Sequence, residues 1–516
     1  MPRYAYTPFP YVTPPELRGA RAKRVPILIV GAGPIGLAAA LDLALHGIAS
    51  VVCDDNNVVS VGSRAICWAK RTLEIFDRLG VGDRMVAKGV TWNVGRLFHR
   101  DTEVYSFDLL PESGHKMPAF VNLQQYYVEQ YLVERCADFP DLIDLRWKNK
   151  VVAVNQTTDG VRAKLETPDG PYTIEADYLI ACDGARSALR SMLGLAFEGQ
   201  TFEERFLITD IEMQADFPSE RWFWFEPPFH SGQSALLHKQ PDNIYRIDLQ
   251  LGPGADPEIE KQPDRVFPRI KAMLGNRKFE LDWTSVYSFQ CARLARFVHD
   301  RVIFAGDSAH VISPFGARGG NGGIQDVDNL CWKLAMVLKG DARPALIETY
   351  NEERTLGADE NIRNSARATH FMSPGDGIAR IFRDAVLDLA AAMPFARKLV
   401  NSGRLSQPCS LAGMSLQTPA SNTGGLAPGM ACLDAPRRDG WLLNALGGEF
   451  KLLRIGSAVH SSGGGLTEIA TDDPLAVQRY GAGNTYLIRP DQHVAAVFRD
   501  PAAVEIEVAF TRARAA

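Results

Sequence analysis

The sequence lacks the features that mark disulfide-bonded and metal-binding proteins. Its 8 cysteines are scattered through 516 residues, and neither a C-x-x-C pair nor a spacing typical of metal ligands occurs. Several of these cysteines lie inside apolar runs, which is typical of buried free thiols and favours a reducing compartment. We therefore expect a protein without a metal site and without dithiol chemistry.

Excess positive charge and long apolar runs are also missing. Lys and Arg number 56 against 61 Asp and Glu, a formal net charge of −5, so nucleic-acid binding has no electrostatic support. The most apolar stretch, 25–45, contains glycines and a proline, which predicts a strand, a turn and a helix rather than a membrane span. The N-terminus has no apolar signal-peptide core. We expect a soluble, cytoplasmic protein with no nucleic-acid or membrane partner.

The first 24 residues are rich in proline and aromatic side chains. Two interpretations are equally open for this segment: an extended arm that lies across a partner surface, or a floppy tail. The chain as a whole has 46% hydrophobic residues, which is enough for two or three domains with sizeable cores.

A glycine-rich turn of the pattern G-x-G-x-x-G follows the first predicted strand. Such glycines allow a tight turn and the close approach of a pyrophosphate to the N-terminus of the next helix. Asp54, at the end of the second strand, stands where a ribose-binding acid belongs, and Asp55 is the competing acid. The predicted strand, the predicted helix and the acid all occur at the positions that this motif requires, so the pattern predicts a dinucleotide site. The residues of the turn are Gly31, Gly33, Pro34, Ile35 and Gly36.

Two later turns follow strands in the same way. Asp183 and Gly184 come after a strand at 178–181, and taken alone they would be an ordinary strand-to-helix turn with an Asp cap. Gly306 and Asp307 follow the buried strand that begins near residue 301, a position from which Asp307 can reach a ribityl hydroxyl.

A loop with several glycines, 314–322, leads into a helix predicted from about Gly322 to Leu338 by its apolar period. The backbone N–H groups of this loop can lie beside an electron-rich ring, and the N-terminus of the helix carries positive partial charge. Both features stabilise a reduced, anionic flavin ring. The pattern therefore predicts a redox enzyme.

The three turns, in this order, resemble those of the single-component FAD-dependent aromatic hydroxylases, the group typified by para-hydroxybenzoate hydroxylase and phenol hydroxylase. The stretch 306–334 is most similar to the subgroup called 3-(3-hydroxyphenyl)propionate hydroxylase-like, and the resemblance covers about residues 25–400. The tail resembles the thioredoxin-like C-terminal domain of phenol hydroxylase relatives. Without C-x-x-C, that domain is expected to have a structural or dimerisation role.

The resemblance implies an α/β protein in which a Rossmann-like FAD-binding domain is interrupted by an antiparallel-sheet substrate domain and followed by a thioredoxin-like domain. The expected order is an N-terminal arm at 1–24, the FAD-binding domain at 25–196 with some substrate-domain strands at about 91–120, the substrate sheet at 197–297, the return of the FAD-binding domain at 298–406, a linker at 407–428 and the C-terminal domain at 429–516.

The resemblance also implies the chemistry. NADH or NADPH reduces FAD, O2 adds to the ring as a C4a-hydroperoxide, and the distal oxygen hydroxylates a small phenolic substrate in a protein expected to be a homodimer. The implied cofactor-binding residues are Gly31, Gly33, Pro34, Ile35, Gly36, Asp54, Arg64, Gln125, Asp183, Gly184, Gly306, Asp307, Pro314, Gly319, Gly320, Asn321 and Gly322.

A base or hydrogen-bond acceptor should help to deprotonate the phenol, and the candidates lie on the antiparallel insert. Arg246 fits a family position close to flavin and substrate, but an exposed strand Arg is an equal alternative. His238 is a further candidate, although a solvated edge His is the more common case. Tyr287 and Tyr245 complete the set. Phenol hydroxylases have an acid where this chain has Ile66, so acid-assisted activation of the phenol is not assumed.

Two further interpretations remain. Trp222-Phe-Trp-Phe-Glu226-Pro approaches the W-x-W-x-I-P signature of flavin-dependent halogenases, which share the fold, although these aromatic residues are expected to be core. A non-catalytic flavin-binding protein is the other alternative. A substrate carboxylate would require a basic residue in the pocket, for which Arg246 and Arg318 are the candidates.

Overall fold

The structure is a computed structural model that describes residues 4–19, 24–252, 254–313, 316–375, 377–400, 407–420, 424–456 and 465–516. The strands are β1 (Val25–Val30), β2 (Ser50–Asp54), β3 (Cys67–Ala69), β4 (Val90–Trp92), β5 (Val94–His99), β6 (Thr102–Asp108), β7 (Phe120–Asn122), β8 (Ile143–Trp147), β9 (Lys150–Gln156), β10 (Val161–Thr167), β11 (Gly170–Ala181), β12 (Phe197–Glu212), β13 (Arg221–Phe225), β14 (Ser234–Lys239), β15 (Ile244–Leu251), β16 (Glu280–Leu294), β17 (Val298–His299), β18 (Val302–Phe304), β19 (His310–Val311), β20 (Pro436–Arg437), β21 (Gly440–Trp441), β22 (Lys451–Ile455), β23 (Thr467–Thr471), β24 (Asn484–Ile488) and β25 (Val494–Arg499).

The α-helices lie between and after these strands. They are α1 (Pro34–Leu45), α2 (Lys70–Arg78), α3 (Gly82–Lys88), α4 (Gln125–Cys136), α5 (Ala188–Met192), α6 (Pro257–Glu260), α7 (Pro263–Leu274), α8 (Gly319–Lys339), α9 (Ala345–Met372), α10 (Ile378–Ala392), α11 (Arg397–Val400), α12 (Leu442–Ala445), α13 (Pro474–Tyr480) and α14 (Ala503–Ala513). In the described part of the chain, no helix is long and apolar enough to cross a membrane.

The first sheet has the strand order β17-β18-β11-β1-β2-β8, and the antiparallel hairpin β9–β10 joins it through β11. Strands β18, β11, β1, β2 and β8 run parallel. Helix α1 is buried on nearly all sides because it packs between this sheet and helices α4 and α8. A nearly continuous apolar sequence in α1 is therefore required by its position. The expected Rossmann-like unit is confirmed.

The second sheet has the order β19-β16-β12-β15-β14-β13-β5-β6 and is antiparallel except for the pair β13–β5. Strands β5 and β6, at Val94–His99 and Thr102–Asp108, come from the part of the chain that precedes α4. One face, which we call the outer face, packs against α7 through Val266 and Ile270. The aromatic residues of β13 pack on both faces: Trp224 joins the outer-face core, whereas Phe225 joins the core under α9 and α10.

The C-terminal sheet has the order β23-β22-β24-β25, with β22 and β23 parallel and the other pairs antiparallel. This order and these directions are those of thioredoxin-like folds. Residues 457–464, between β22 and β23, lie outside the described residues.

The N-terminal arm lies on the chain's own surface. The backbone N–H of Phe9 donates to the Asn57 carbonyl at 2.7 Å, and the Phe9 ring stacks on Trp147 with centroids 4.5 Å apart. Tyr6 Oη accepts a hydrogen bond from the Gly62 N–H at 3.0 Å. The prediction of a floppy tail is therefore wrong for residues 4–18, because the aromatic side chains of the arm find partners within the same molecule.

Candidate functional site

The carboxyl ends of four parallel strands meet at one edge of the first sheet. Val30 lies opposite Cys53 and Ala181, and Ala181 lies opposite Phe304. The residues that follow these ends therefore emerge side by side, although they are about 270 positions apart in sequence at the extremes. The three predicted turns begin immediately beyond this edge, which brings them into one site.

Direct backbone contacts join the three turns. A Cβ added to Gly31 would overlap the Cys182 carbonyl oxygen of the second turn. A Cβ added to Gly323 would lie 2.6 Å from Ile35 Cδ1 and 3.0 Å from the Cα of Gly306. Because no larger residue fits at these positions, the glycines allow the three turns to pack together.

Gly33 serves a different purpose. A Cβ at this position would meet no protein atom within 4 Å, although Gly33 is the residue that caps the N-terminus of α1. Open space at the N-terminus of a buried helix is where a pyrophosphate binds, because free N–H groups and the helix dipole favour negative charge there.

Asp54 points to the first turn. Its Oδ2 accepts the Ala32 N–H at 2.7 Å and its Oδ1 accepts the Asn56 N–H at 2.8 Å. Burial raises the pKa of its carboxyl group, whereas the neighbouring Asp55 is exposed to solvent. Of the two acids, Asp54 is the one placed beside the glycine turn.

The second turn is linked to the third. Asp183 Oδ2 accepts the Leu189 N–H at 3.0 Å, while its buried Oδ1 has no hydrogen-bond partner among the described residues. Ser187 caps α5, and the side chain of Arg190 donates to the Ser308 carbonyl at 3.2 Å. A buried carboxylate oxygen without a protein partner is a feature that a bound ligand would explain.

Asp307 faces a cleft. Its side chain is exposed to solvent, yet it lies deep enough in the molecule for desolvation to raise the pKa of its carboxyl group. A Cβ added at Gly319, the first residue of α8, would lie 3.9 Å from Asp307 Oδ1. The exposed Arg64 is close enough to lower the pKa of Asp307. Asp307, Arg64 and the start of α8 thus surround one space.

A buried ionic cluster beneath Asp307 holds the third turn. Asp326 on α8 accepts the Gly306 N–H at 2.9 Å, and its carboxylate lies 2.7 Å from both His310 Nε2 and Arg354 Nε. Burial acts to raise the pKa of Asp326, but the charges of His310 and Arg354 lower it overall. Asp326 was not predicted from the sequence, although an acid between the apolar helix positions 324 and 327 was a signal for it.

Helix α8 begins at Gly319, three residues earlier than predicted. Both ends of the Asn321 amide are engaged: Oδ1 accepts the Ala69 N–H and Nδ2 donates to the Cys67 carbonyl, each at 2.9 Å. Asn321 therefore fastens β3 to the first turn of α8. Gly320 lies against the Trp68 ring. Pro314, which was expected to line the flavin ring, lies outside the described residues.

The loop 55–66 carries Arg64 and is held from the side of α4. Gln125 Oε1 accepts the Ala65 N–H at 3.1 Å, and its Nε2 donates to Glu129 Oε1 at 2.7 Å. Glu129 in turn accepts the Ser60 N–H at 2.5 Å, and burial raises its pKa to about 7. The Gln125 amide is thus occupied in shaping the loop that presents Arg64.

A row of four polar side chains crosses the second sheet. Asp210 lies opposite Arg246, Arg246 opposite His238, and His238 opposite Arg221, so all four project from the same face. We call this face, which is turned toward the loop 55–66, the inner face. The row was not predicted, since its members are far apart in sequence. Its signal was the occurrence of Asp210 within the apolar strand 206–211.

Burial excludes two alternatives that the sequence left open, an exposed strand arginine for Arg246 and a solvated edge histidine for His238. Arg246 and His238 are only 5% and 3% exposed, so neither is a solvated strand residue. Arg246 donates to Asp248 at 2.8 Å and to the backbone carbonyls of Ser63 and Arg64 at 3.2 and 2.8 Å. Cys67 Sγ lies 3.8 Å from His238 Nδ1. The inner face of the sheet therefore packs directly against the loop that carries Arg64.

The row contains groups of unequal proton affinity. Burial raises the pKa of Asp210 to about 7, although Arg246 acts to lower it. Burial and the charges of Arg221 and Arg246 hold the pKa of His238 well below its ordinary value, so the imidazole is neutral at neutral pH. Asp210 is thus the member of the row that exchanges a proton near pH 7.

The two tyrosine candidates lie elsewhere on this sheet. Tyr245 belongs to the outer-face core, and its hydroxyl donates to the Ala215 carbonyl at 2.8 Å. Tyr287 is half-buried beside Trp283, with ring centroids 6.5 Å apart, and packs against the apolar part of the inner face.

Four parallel strand ends, three glycine turns and a helix N-terminus around one cleft define a Rossmann-like dinucleotide-binding protein. The residues fit FAD: Gly33 leaves space for the pyrophosphate, and accessible Asp307 and Gly319 flank the cleft. A family model described as FAD binding domain matches residues 24–365, and the chain belongs to this family. FAD is the cofactor of such a chain.

The relatives agree with this assignment. The "3-(3-hydroxy-phenyl)propionate/3-hydroxycinnamic acid hydroxylase" of Mycolicibacterium smegmatis (strain ATCC 700084 / mc(2)155) is 25% identical over 377 residues, which are 73% of this chain and 66% of that protein. The chain thus spans just under two thirds of this relative. The expected resemblance to this subgroup is confirmed.

Solved structures share the fold. The flavin-dependent monooxygenase PieE, in complex with FAD and substrate, has a TM-score of 0.81 at 23% identity and covers 96% of this chain and 100% of its own. The p-nitrophenol 4-monooxygenase PnpA from Pseudomonas putida DLL-E4 has a TM-score of 0.66 at 25% identity, over 75% of this chain and 99% of its own.

Proposed function

We propose that the protein is an FAD-dependent monooxygenase that hydroxylates a phenolic aromatic substrate, with NADH or NADPH as reductant and O2 as oxidant. The observation that carries this proposal is the buried polar row of the inner face, which lies over the segment 63–67, while Asn321 ties that same segment to the first turn of α8. A buried polar surface beside a flavin-binding cleft suits substrate oxidation.

Each motif has a proposed role in holding the cofactor. The N-terminus of α1 at Gly33 binds the pyrophosphate, Asp54 binds the ribose and Asp307 binds the ribityl chain. The N–H groups of the first turn of α8 stabilise negative charge on the ring. Bound FAD supplies the redox chemistry, accepting hydride from the nicotinamide and activating O2.

Asp210 is the proposed proton acceptor for the substrate. A carboxylate whose pKa is about 7 can take the phenol proton near neutral pH, which raises the electron density of the ring. Arg246 acts as a positioning residue, because its hydrogen bonds hold Asp248 and the backbone of Ser63 and Arg64. The buried inner face excludes water from the reacting ring.

The remaining expectations about organisation are part of the same proposal. FAD is held by 25–196 and 298–406, the substrate by 197–297, and the thioredoxin-like unit at 429–516 has a structural role in a homodimer. The halogenase alternative rests only on the likeness of the segment 222–227, whose Trp224 and Phe225 pack in apolar cores.

The test is anaerobic and aerobic kinetics on the FAD-loaded protein with a panel of phenolic acids. We expect a phenolic acid to stimulate oxidation of NADH or NADPH, and 18O2 to label the hydroxylated product. Activity that depends on a separate reductase and inserts halide would support the halogenase instead. Flavin that no nicotinamide reduces under any condition would leave only a binding protein.

A further inference from the structure

Arg221 is a half-buried cation without a partner. Among the residues that the structure describes, none accepts a hydrogen bond from its guanidinium or forms an ion pair with it. The other arginines nearby are paired: Arg246 with Asp248 at 2.8 Å, and Arg96 on the next strand with Glu220 at 2.9 Å. Arg221 therefore differs from these neighbours, because all five of its N–H donors lack an acceptor among the described residues.

The surroundings of Arg221 do not neutralise it. Cross-strand from it lies the neutral imidazole of His238, and beyond that lies the cation Arg246. Asp248, the acid whose charge acts on Arg221, is already hydrogen-bonded to Arg246, and Glu220 is paired with Arg96. Burial lowers the pKa of Arg221, the direction expected of a desolvated cation that no anion compensates. An anionic ligand group would relieve this cost.

The location of Arg221 places that anion inside the substrate pocket. Arg221 lies directly opposite His238, whose Nδ1 is 3.8 Å from Cys67 Sγ, and the Cys67 carbonyl accepts a hydrogen bond from Asn321 at the start of α8. Arg221 ends the polar row, with strands β15 and β14 between its own strand and that of Asp210. Three strand spacings separate the two backbones by about 14 Å.

We propose that Arg221 is a specificity-determining residue whose guanidinium binds a carboxylate carried on a side chain of the aromatic substrate, remote from the phenol hydroxyl at Asp210. This inference rests on the proposed function for the identity of the pocket. It replaces the two earlier candidates for the carboxylate, since Arg246 is paired with Asp248 and Arg318 is buried and donates to Asn361 at 3.1 Å. A planar guanidinium binds a carboxylate with two parallel hydrogen bonds.

The test compares an acid with its uncharged analogue on the oxidised, FAD-loaded protein. The probes are 3-(3-hydroxyphenyl)propionate and the corresponding amide, and binding is followed by the change in flavin absorbance, without NADH, NADPH or turnover. Arg221→Met should raise the Kd of the acid about 10- to 100-fold, the range of charge-assisted hydrogen bonds, and should change the Kd of the amide less than about twofold. Arg221→Lys should restore part of the affinity, because it keeps the charge but not the paired donors.

Two controls keep the outcome decisive. Arg96→Met removes a guanidinium from the neighbouring strand that is paired with Glu220, and it should leave both Kd values unchanged. The FAD content of each variant reports folding, and Arg221→Gln serves if the Met variant loses its flavin. Equal losses for acid and amide, an unchanged Kd for the acid, or a wild-type protein that binds neither probe would overturn the proposal. Arg221-dependent binding without any hydroxylation would instead retain the anion site and refute the proposed function.

Discussion

At the scale of single residues, the acids of the site differ in what surrounds them. Asp326 is a buried anion with three donors, Asp307 is accessible inside a cleft, and Asp210 is buried with a hydrogen bond from Gln240 and no ion pair among the described residues. Burial disfavours the charged form in each case, and only the number of cations and donors nearby decides whether the pKa ends above or below its ordinary value. The same residue type therefore has a structural, a binding and a proton-exchanging environment in one protein.

Asp326 should be essential for the third turn. Asp326→Ala leaves His310 and Arg354 buried without their anion, and we expect a loss of about 3–5 kcal/mol in the free energy of unfolding together with loss of bound FAD. Thermal unfolding and the flavin-to-protein ratio measure both. Asp359→Ala removes the half-exposed partner of Arg293 and should cost less than about 1 kcal/mol. A fully flavinated, equally stable Asp326→Ala variant would contradict this role.

Asp54 and Asp55 form a natural pair for testing the first turn. Asp54→Ala removes the acceptor of the Ala32 N–H and the proposed ribose ligand, so the Kd for FAD should rise about 10-fold or more. Asp55→Ala removes an exposed acid and should leave the Kd within about twofold. Titration of the apoprotein with FAD, followed by flavin fluorescence, distinguishes them. A larger rise in the Kd for FAD in Asp55→Ala than in Asp54→Ala would show that the register of β2 is misassigned.

Asp210 should make stability and activity depend on pH in opposite senses. Because its pKa is raised to about 7 from the ordinary 3.8, the folded protein binds this proton more tightly than the unfolded chain does. Its contribution to stability is fully present below about pH 4 and is lost as the pH rises through 7. The ionised form is the proposed base, so kcat/KM should rise through the same pH.

The variant Asp210→Asn should remove both dependences. We expect kcat/KM to fall about 10²- to 10⁴-fold and the remaining rate to lose its rise near pH 7, measured as initial rates from pH 5 to 9. Glu129, whose pKa burial also raises to about 7, is unchanged in this variant, so the difference between the two proteins isolates Asp210. An unaltered pH profile would assign the proton acceptor to another group.

At the scale of elements, the loop 55–66 is held from three directions. Helix α4 binds it through Gln125 and Glu129, the second sheet binds it through Arg246, and the N-terminal arm binds it through Tyr6 and Phe9. The loop presents Arg64 toward Asp307. Its conformation thus depends on residues far from it in sequence, so the arm is part of the apparatus that shapes the site.

The arm should therefore contribute to retention of FAD. Tyr6→Phe leaves the Gly62 N–H without its acceptor, and we expect faster release of FAD, about 5- to 10-fold, with little change in secondary structure. Tyr11→Phe is the matched control, because Tyr11 bonds to Thr167 and Asp169, away from the loop. Release is measured as the recovery of free flavin fluorescence after dilution. Identical rates in the two variants would limit the arm to a packing role.

At the scale of the whole molecule, the C-terminal unit is fastened by buried charges. Arg489, between β24 and β25, pairs with Glu353 of α9 at 2.6 Å and with Asp491 at 2.6 Å, all without solvent exposure. Arg71 of α2 bonds to Asp328 of α8 at 2.9 Å and to Gln492 at 2.8 Å. The network joins the tail to α8, the helix whose other end faces the flavin cleft.

Breaking this network should destabilise the whole chain. Arg489→Met leaves Glu353 and Asp491 buried with fewer cations. We therefore expect the free energy of unfolding to fall by about 3–5 kcal/mol, and denaturation by urea or heat measures this loss. Arg437→Met removes the partner of the exposed Asp439 and should cost less than about 1 kcal/mol. Independent melting of the tail, with no effect on release of FAD, would show that the network does not couple the two parts.

The sequence by itself determined the nucleotide edge: the strands, the glycine turns, Asp54 over Asp55 and the long helix after the third turn. These features depend on short-range patterns, in which a buried strand, a turn residue and a helix follow one another within a few positions. The start of α8 was misplaced by three residues because glycines do not mark a helix boundary unambiguously.

Only the tertiary structure decided the composition of the substrate side. Strand pairing makes neighbours of four residues, Asp210, Arg246, His238 and Arg221. The register of these strands is set by tertiary contacts that cannot be read from a single sequence. The burial of Arg246, the attachment of the arm and the ion network of the tail depend likewise on which distant surfaces meet. Local chemistry identified the cofactor, whereas the packing of one sheet against one loop brought together the residues that we propose to contact the substrate.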